Sequence, residues 1–176
     1  MKKINMLIRV NIFLLPIFFG IFSVSNAETY GNVPAQIQAA IFLKLFAFNN
    51  DMNKGENISV HVIDAPDFAE EMKKAVGKPI GKSQLTEVNE SPDLPSDHKP
   101  SVIYIGNPDK FDAVKKYSNE NKVLSITGIP ELVEKGVTLG LVSFEGKPKI
   151  LLNIGASESE GVNWNPAMMK ISTVFK

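Results

Sequence analysis

Val102-Ile103-Tyr104-Ile105 is an unbroken apolar run closed by Gly106. A strand with one wet face alternates apolar and polar residues. A strand with no polar position is buried on both faces, as in a parallel sheet covered by helices on either side. The neighbouring segments fit that architecture. Residues 58–63 read as a strand, and Asp64-Ala65-Pro66 breaks it and opens a helix with Phe68, Met72, Ala75 and Val76 on one side, stopped by Gly77. Residues 84–88 form a weaker, alternating strand. Residues 91–100 hold three prolines and must be a loop. Asn107-Pro108 begins a helix carrying Phe111, Val114 and Tyr117. A short strand at 123–126 follows, and residues 130–134 give at most a turn or two of helix.

Residues 137–144 and 149–154 read as strands joined through Glu145-Gly146-Lys147, a hairpin. Residues 167–175 can form a last helix with Met168, Ile171 and Phe175 inward. Ahead of the first strand, Pro34 opens a helix whose apolar face uses Ile37, Ala40, Ile41, the Lys44 stem, Leu45 and Phe48, widened by Phe42 and Phe46. The expected fold class is α/β, a three-layer sandwich with a mostly parallel sheet and a C-terminal antiparallel hairpin. Such sheets bind ligands outside the carboxyl ends of their strands. That rule makes Asp64, Asn107 and Thr127 candidate ligand contacts.

Residues 1–27 are set apart. Lys2, Lys3 and Arg9 precede an apolar run at about 12–22, and Ser25-Asn26-Ala27 places small residues where signal peptidase cuts, before Glu28. The run is shorter than the ~20 residues of a spanning helix, so a cleaved signal peptide is expected over an uncleaved anchor. The remaining single domain, 28–176, then carries 16 lysines, 19 acids and no arginine, about −3. That composition argues against nucleic-acid binding and against bidentate phosphate clamps. The chain has no cysteine, which excludes disulfides, zinc-thiolate sites and a cysteine nucleophile.

The chemical motifs are weak. Gly77-Lys78-Pro79-Ile80-Gly81-Lys82-Ser83 imitates a P-loop with one residue too few, follows a helix instead of a strand, and loses a donor at Pro79, so it reads as a turn. His61 and His98 lack companions at metal-ligand spacing. Asp93 and Asp97 beside His98 read as a solvated loop. No Gly-x-Ser-x-Gly elbow and no dinucleotide fingerprint occurs. Glu158-Ser159-Glu160 reads as a solvated helix entrance. Trp164 is either an interface anchor or a cap on the core, and the apolar helix with Phe42 and Phe46 either a dimer or partner contact or a buried element. No catalytic residue, metal or cofactor is expected.

Taken in order, these blocks resemble the YfiR/HmsC-like family of bacterial periplasmic proteins. The resemblance is carried by the opening helix Gln38-Ala39-Ala40-Ile41-Phe42-Leu43-Lys44-Leu45-Phe46-Ala47-Phe48, by Gly81-Lys82-Ser83-Gln84-Leu85, and by the central apolar strand. The block from Val123-Leu124-Ser125-Ile126-Thr127-Gly128 through Gly136-Val137-Thr138-Leu139-Gly140-Leu141 to Lys149-Ile150-Leu151-Leu152-Asn153-Ile154 is its most specific part. The chain departs from the family in having Asn49-Asn50 where a Trp-Pro pair is usual, and in lacking the cysteines and the C-terminal arginines. The resemblance implies a non-catalytic periplasmic regulator. It would bind and repress a membrane receptor or diguanylate cyclase with a periplasmic domain, affecting cyclic di-GMP and biofilm formation, and homodimers are typical. The residues by themselves leave open a periplasmic small-molecule binding protein using the strand ends.

Overall fold

The computed structural model describes residues 30–176. The expected signal peptide, 1–27, lies outside the described residues. The elements are α1 (Ala35–Phe46), β1 (Asn57–Ile63), α2 (Pro66–Lys73), β2 (Pro79–Ile80), β3 (Ser83–Glu90), β4 (Val102–Ile105), α3 (Phe111–Asn121), β5 (Leu124–Thr127), α4 (Pro130–Lys135), β6 (Leu139–Phe144), β7 (Lys147–Asn153), α5 (Ile154–Ser159), α6 (Ala167–Ile171) and β8 (Ser172–Phe175). The strands make one eight-stranded sheet in the order β2-β3-β1-β4-β5-β6-β7-β8. Pairing is parallel from β3 through β6 and again between β7 and β8, and antiparallel in the β6–β7 hairpin and between β2 and β3.

Period-two alternation sorts the side chains into two layers of core. Val102 and Tyr104 of β4 point to the face covered by α1 and α2, among Phe42, Phe46, Phe68 and Met72. Ile103 and Ile105 point the other way, to Val114 of α3 and Leu132 of α4. Every residue of β4 is buried, as the unbroken apolar run requires. Helices therefore flank the sheet on both sides, and the expected three-layer α/β architecture with its terminal hairpin is the observed one.

Several elements differ from expectation. The buried face of α1 is Gln38, Ala39, Phe42, Leu45 and Phe46, whereas Ile37 is 42% exposed. Two phenylalanines cover far more apolar area than Ala40 and a lysine stem, and the helix turns to bury them. Both are 0% exposed, so Phe42 and Phe46 belong to the core and present no surface to a partner in this fold.

The last helix stops after five residues, at Ile171, and Ser172–Phe175 becomes β8, in parallel register with β7 from Ile150↔Ser172 to Asn153↔Phe175. Thr173, Val174 and Phe175 favour a strand, and Phe175 packs beside Val142 and Leu151. Ile171, expected inward, is exposed. Finally, the stretch that imitates a P-loop is a turn, and its Pro79–Ile80 pairs back on Ser83 and Gln84 as the short edge strand β2.

Candidate functional site

The parallel strands β1, β4 and β5 place Asp64, Asn107 and Thr127 at their carboxyl ends, where the sequence predicts ligand contacts. The structure brings two of them together: the Asn107 side-chain amide donates to Asp64 Oδ2 at 3.0 Å, and Asn107 Oδ1 accepts from the Asp109 N–H, capping the turn that leads into α3. Thr127 stands apart. It is fully buried, its hydroxyl donating to the Ile105 carbonyl at 2.8 Å and accepting from the Ile129 N–H at 3.0 Å. Both capacities of the hydroxyl are used inside the chain.

Above β4 and β5, beside Gly128, this end of the sheet is closed by Gln38 of α1, while Asp64 and Asn107 stay partly exposed. Gln38, 8% exposed, accepts from the Tyr104 hydroxyl at 3.0 Å and donates to the Val33 carbonyl at 2.7 Å. Tyr104 is stacked on Phe68, with ring centroids 3.8 Å apart, and Phe42 meets both rings edge-on. Burial pushes the Tyr104 hydroxyl up to about 12, so it remains a proton donor. Two glycines permit close packing here, Gly128 against α1 and Gly106 against the end of β1. A Cβ on Gly128 would lie 2.7 Å from Gln38 Oε1 and 2.9 Å from the Tyr104 hydroxyl, and one on Gly106 would meet the Ile63 carbonyl at 2.8 Å.

The opposite, amino end of the strands is open. A cavity of about 290 Å³ lies where β1, β4 and β5 begin, with Asn49, Asp51, Glu56, Lys99, Lys122 and Glu160 in its wall. None of Asp64, Asn107 and Thr127 borders it. Two larger hollows flank the sheet. One of about 410 Å³ runs between Leu43 of α1, Ala47 just past its end and Ile80 of β2, and one of about 440 Å³ lies under the proline-rich loop beside His61 and His98.

Glu160 is the residue the sequence misplaces. Expected as a solvated acid, it is 2% exposed at the end of α5. Its Oε1 accepts from the Ser125 hydroxyl at 2.5 Å, and its Oε2 accepts from the Ser125 N–H at 3.0 Å and the Thr138 hydroxyl at 2.6 Å. Burial lifts its pKa from 4.5 to about 7 against the pull of these hydrogen bonds. The arrangement ties α5 to β5 and to the residue just before β6. The sequence signal for it was faint: Ser125 is a polar residue in the middle of an otherwise apolar strand, with no partner nearby in the chain.

Trp164 is 8% exposed, its indole N–H donating to the Ser157 hydroxyl at 2.8 Å and its backbone bridged to Asn49. It caps the core beneath a loop, the second of the two readings its sequence position allows. His61 is buried, and its Nε2 donates to the Asp93 carbonyl at 2.9 Å, pinning the proline-rich loop to β1. Among the described residues no group of three or more His, Cys, Asp or Glu side chains is placed to hold a metal ion. No helix there is long and apolar enough to cross a membrane.

Comparison with known proteins follows the same outline. Residues 35–173 match the family model described as YfiR/HmsC-like. No curated protein matches the chain. Eight chains of solved structures do. One is the crystal structure of a conserved domain protein from Vibrio cholerae O1 biovar El Tor strain N16961, with TM-score 0.55 and 16% identity, covering 81% of this chain. The match spans 60% of the Vibrio chain, and a likeness at that identity speaks to the fold alone.

Proposed function

Because the chain belongs to the YfiR/HmsC-like family, we propose that it is an exported, non-catalytic regulator. It binds the periplasmic domain of a membrane diguanylate cyclase and holds that enzyme inactive. The observation that carries this reading is the family match over residues 35–173, nearly the whole described chain. Placement in the periplasm rests on the pattern of residues 1–27 and on the family.

The regulator acts by differential binding: it favours the receptor's inactive conformation, and its release shifts the population back. Swinging a receptor from about 1:99 to 99:1 takes about a 10⁴-fold preference for one state. The contact therefore falls on receptor surface that differs between the two states. The cyclic dinucleotide is made on the cytoplasmic side, so the regulator needs no nucleotide site, and its effect reaches biofilm formation through the cyclase alone. The interior supports a structural scaffold. The most perturbed carboxyl, Glu160, is committed to Ser125 and Thr138.

The test is affinity capture from detergent-solubilised membranes of the host, using the full chain with its tag inserted directly after Glu28, with partners identified by mass spectrometry. A cyclase carrying a periplasmic domain should be enriched over an untagged control, and deletion of the regulator should raise cellular cyclic di-GMP. Absence of any such partner, with cyclic di-GMP unchanged on deletion, would remove the reading. The same preparation reports export, because a cleaved protein begins at Glu28.

A further inference from the structure

The two edges of the sheet are built differently. At one end β2 has only two residues, and Pro79 removes a backbone donor, so that edge is blunted against pairing. At the other end β8 runs for four residues, Ser172-Thr173-Val174-Phe175, with no proline and no charge. Among the described residues β7 is its only strand neighbour. A strand paired on one side leaves the alternate backbone N–H and C=O groups of its other side open as a template.

The side chains mark the same edge. Six large apolar residues are exposed among the described residues, and three of them, Met169, Ile171 and Val174, fall within this terminal segment, at 41%, 47% and 39%. Ile37, Val76 and Leu94 sit singly, on α1, in the turn after α2 and in the proline-rich loop. Met169 and Ile171 lie in α6 and Val174 in β8, and exposed apolar residues gathered in one segment are a signature of an interaction surface, whereas scattered ones are ordinary.

Charge selects the occupant. Residues 165–176 contain Lys170 and Lys176 and no acid, and Lys147 stands exposed at the start of β7, the neighbouring strand. A second copy pairing antiparallel across β8 would line up Lys170 and Lys176 of both chains with no Asp or Glu side chain of residues 165–176 between them, and like charges across a strand pair are destabilising. An extended segment with apolar residues on alternate positions and acids at its ends satisfies both the backbone template and the field.

We infer that β8 is a strand-addition site, and that its occupant is an acid-flanked extended segment of the membrane partner's periplasmic domain. The identity of that partner rests on the function proposed above. The pairing extends the sheet by a ninth strand, seats apolar side chains against Ile171 and Val174, and places the flanking carboxylates by Lys170 and Lys176.

Two blocked synthetic peptides test the surface without the receptor. Both have a Thr-Val-Thr-Val core, one with two glutamates at each end and the other with two lysines. Amide hydrogen exchange is followed in the full chain, purified as the cell processes it. The glutamate peptide should slow exchange at Ser172–Phe175, and binding should weaken about tenfold or more for the lysine peptide. Val174→Pro should abolish the protection, because proline within a four-residue strand breaks its pairing. Ile171→Glu, which leaves the backbone free to pair, should weaken the glutamate peptide about tenfold. Equal response to both peptides, or none, would overturn the proposal. So would concentration-dependent self-protection of β8 without peptide, which would name a second copy as occupant.

Membrane capture separates this inference from the reading beneath it. If wild type and Ile171→Glu capture a cyclase equally, the regulator stands and the β8 surface falls. If wild type captures none while peptide protection holds, β8 remains a strand-addition site and the assignment of its partner falls.

Discussion

Glu160 reaches from the end of α5 into β5 and grips Ser125 twice, accepting from its hydroxyl at 2.5 Å and from its N–H at 3.0 Å. A carboxyl so enclosed is easier to keep neutral than charged, which is why its pKa rises from 4.5 to about 7. When protonated, Oε1 can donate to the Ser125 hydroxyl, which has the Thr138 N–H at 3.0 Å as a further donor.

Stability should follow that proton. The folded state binds it more tightly than the unfolded chain, so this group's contribution is fully present below pH 4.5 and is lost as pH rises through about 7. The loss is about 3 kcal/mol, taking about 1.4 kcal/mol per pH unit. Urea denaturation between pH 4 and 8 should show that downward slope for wild type. Glu160→Gln, neutral throughout and able to keep both kinds of hydrogen bond, should flatten it.

Gly128→Ala should cost about 1–3 kcal/mol, because the new methyl pushes into Gln38 and the Tyr104 hydroxyl, both held by hydrogen bonds. Combining it with Gln38→Ala opens the space. Chemical denaturation of the double-mutant cycle should give a combined loss smaller than the sum of the two singles. Strict additivity would mean that the glycine is not required by this contact.

Asn153 joins two elements: its Oδ1 caps α5 at the Ala156 N–H, and its amide donates to the Val133 carbonyl in α4. Asn153→Ala removes a helix cap worth about 1 kcal/mol and strands a buried carbonyl, for a total of about 2–3 kcal/mol. Asn153→Asp keeps the cap but not the donor and should remain destabilised, as read from its denaturation midpoint.

Phe42→Ala should destabilise by about 3–5 kcal/mol, the range for emptying a fully buried aromatic site. Ile37→Ala, on the exposed side of the same helix, should stay within about 0.5 kcal/mol. Thermal unfolding of the pair decides which face of α1 is structural. The reverse ranking would restore Ile37 to the core.

What could be read in the sequence was what neighbouring residues decide among themselves. The run at residues 102–105 announced a strand buried on both faces, and the Glu145-Gly146 turn announced the hairpin. The proline-rich loop was equally plain, whereas α2 stops at Lys73, four residues before Gly77, and leaves Val76 exposed. The misreadings came where two local patterns competed. In α1, helical spacing allowed two overlapping apolar faces, and only the sheet beneath chose the one with Phe42 and Phe46. At residues 167–175, helix and strand preferences meet in nine residues, and the vacant edge of β7 drew the last four into β8.

The strand ends show the same division. Sequence alone placed Asp64, Asn107 and Thr127 at the carboxyl ends of a parallel sheet, because strand order along the chain and the right-handed crossover fix that much. Whether the end beside Thr127 is open depends on how Gln38 and Tyr104, 66 positions apart, meet above Gly128. Burial of Glu160 depends likewise on Ser125 and Thr138, 35 and 22 positions away. Sequence by itself determined the alternation of elements, the layered class and the family pattern, since these come from local preference and the period of the apolar residues. Tertiary structure alone decided how Gln38 closes over Gly128, which acid is buried and which strand ends the sheet among the described residues, because each depends on atoms that meet only after the sheet has assembled.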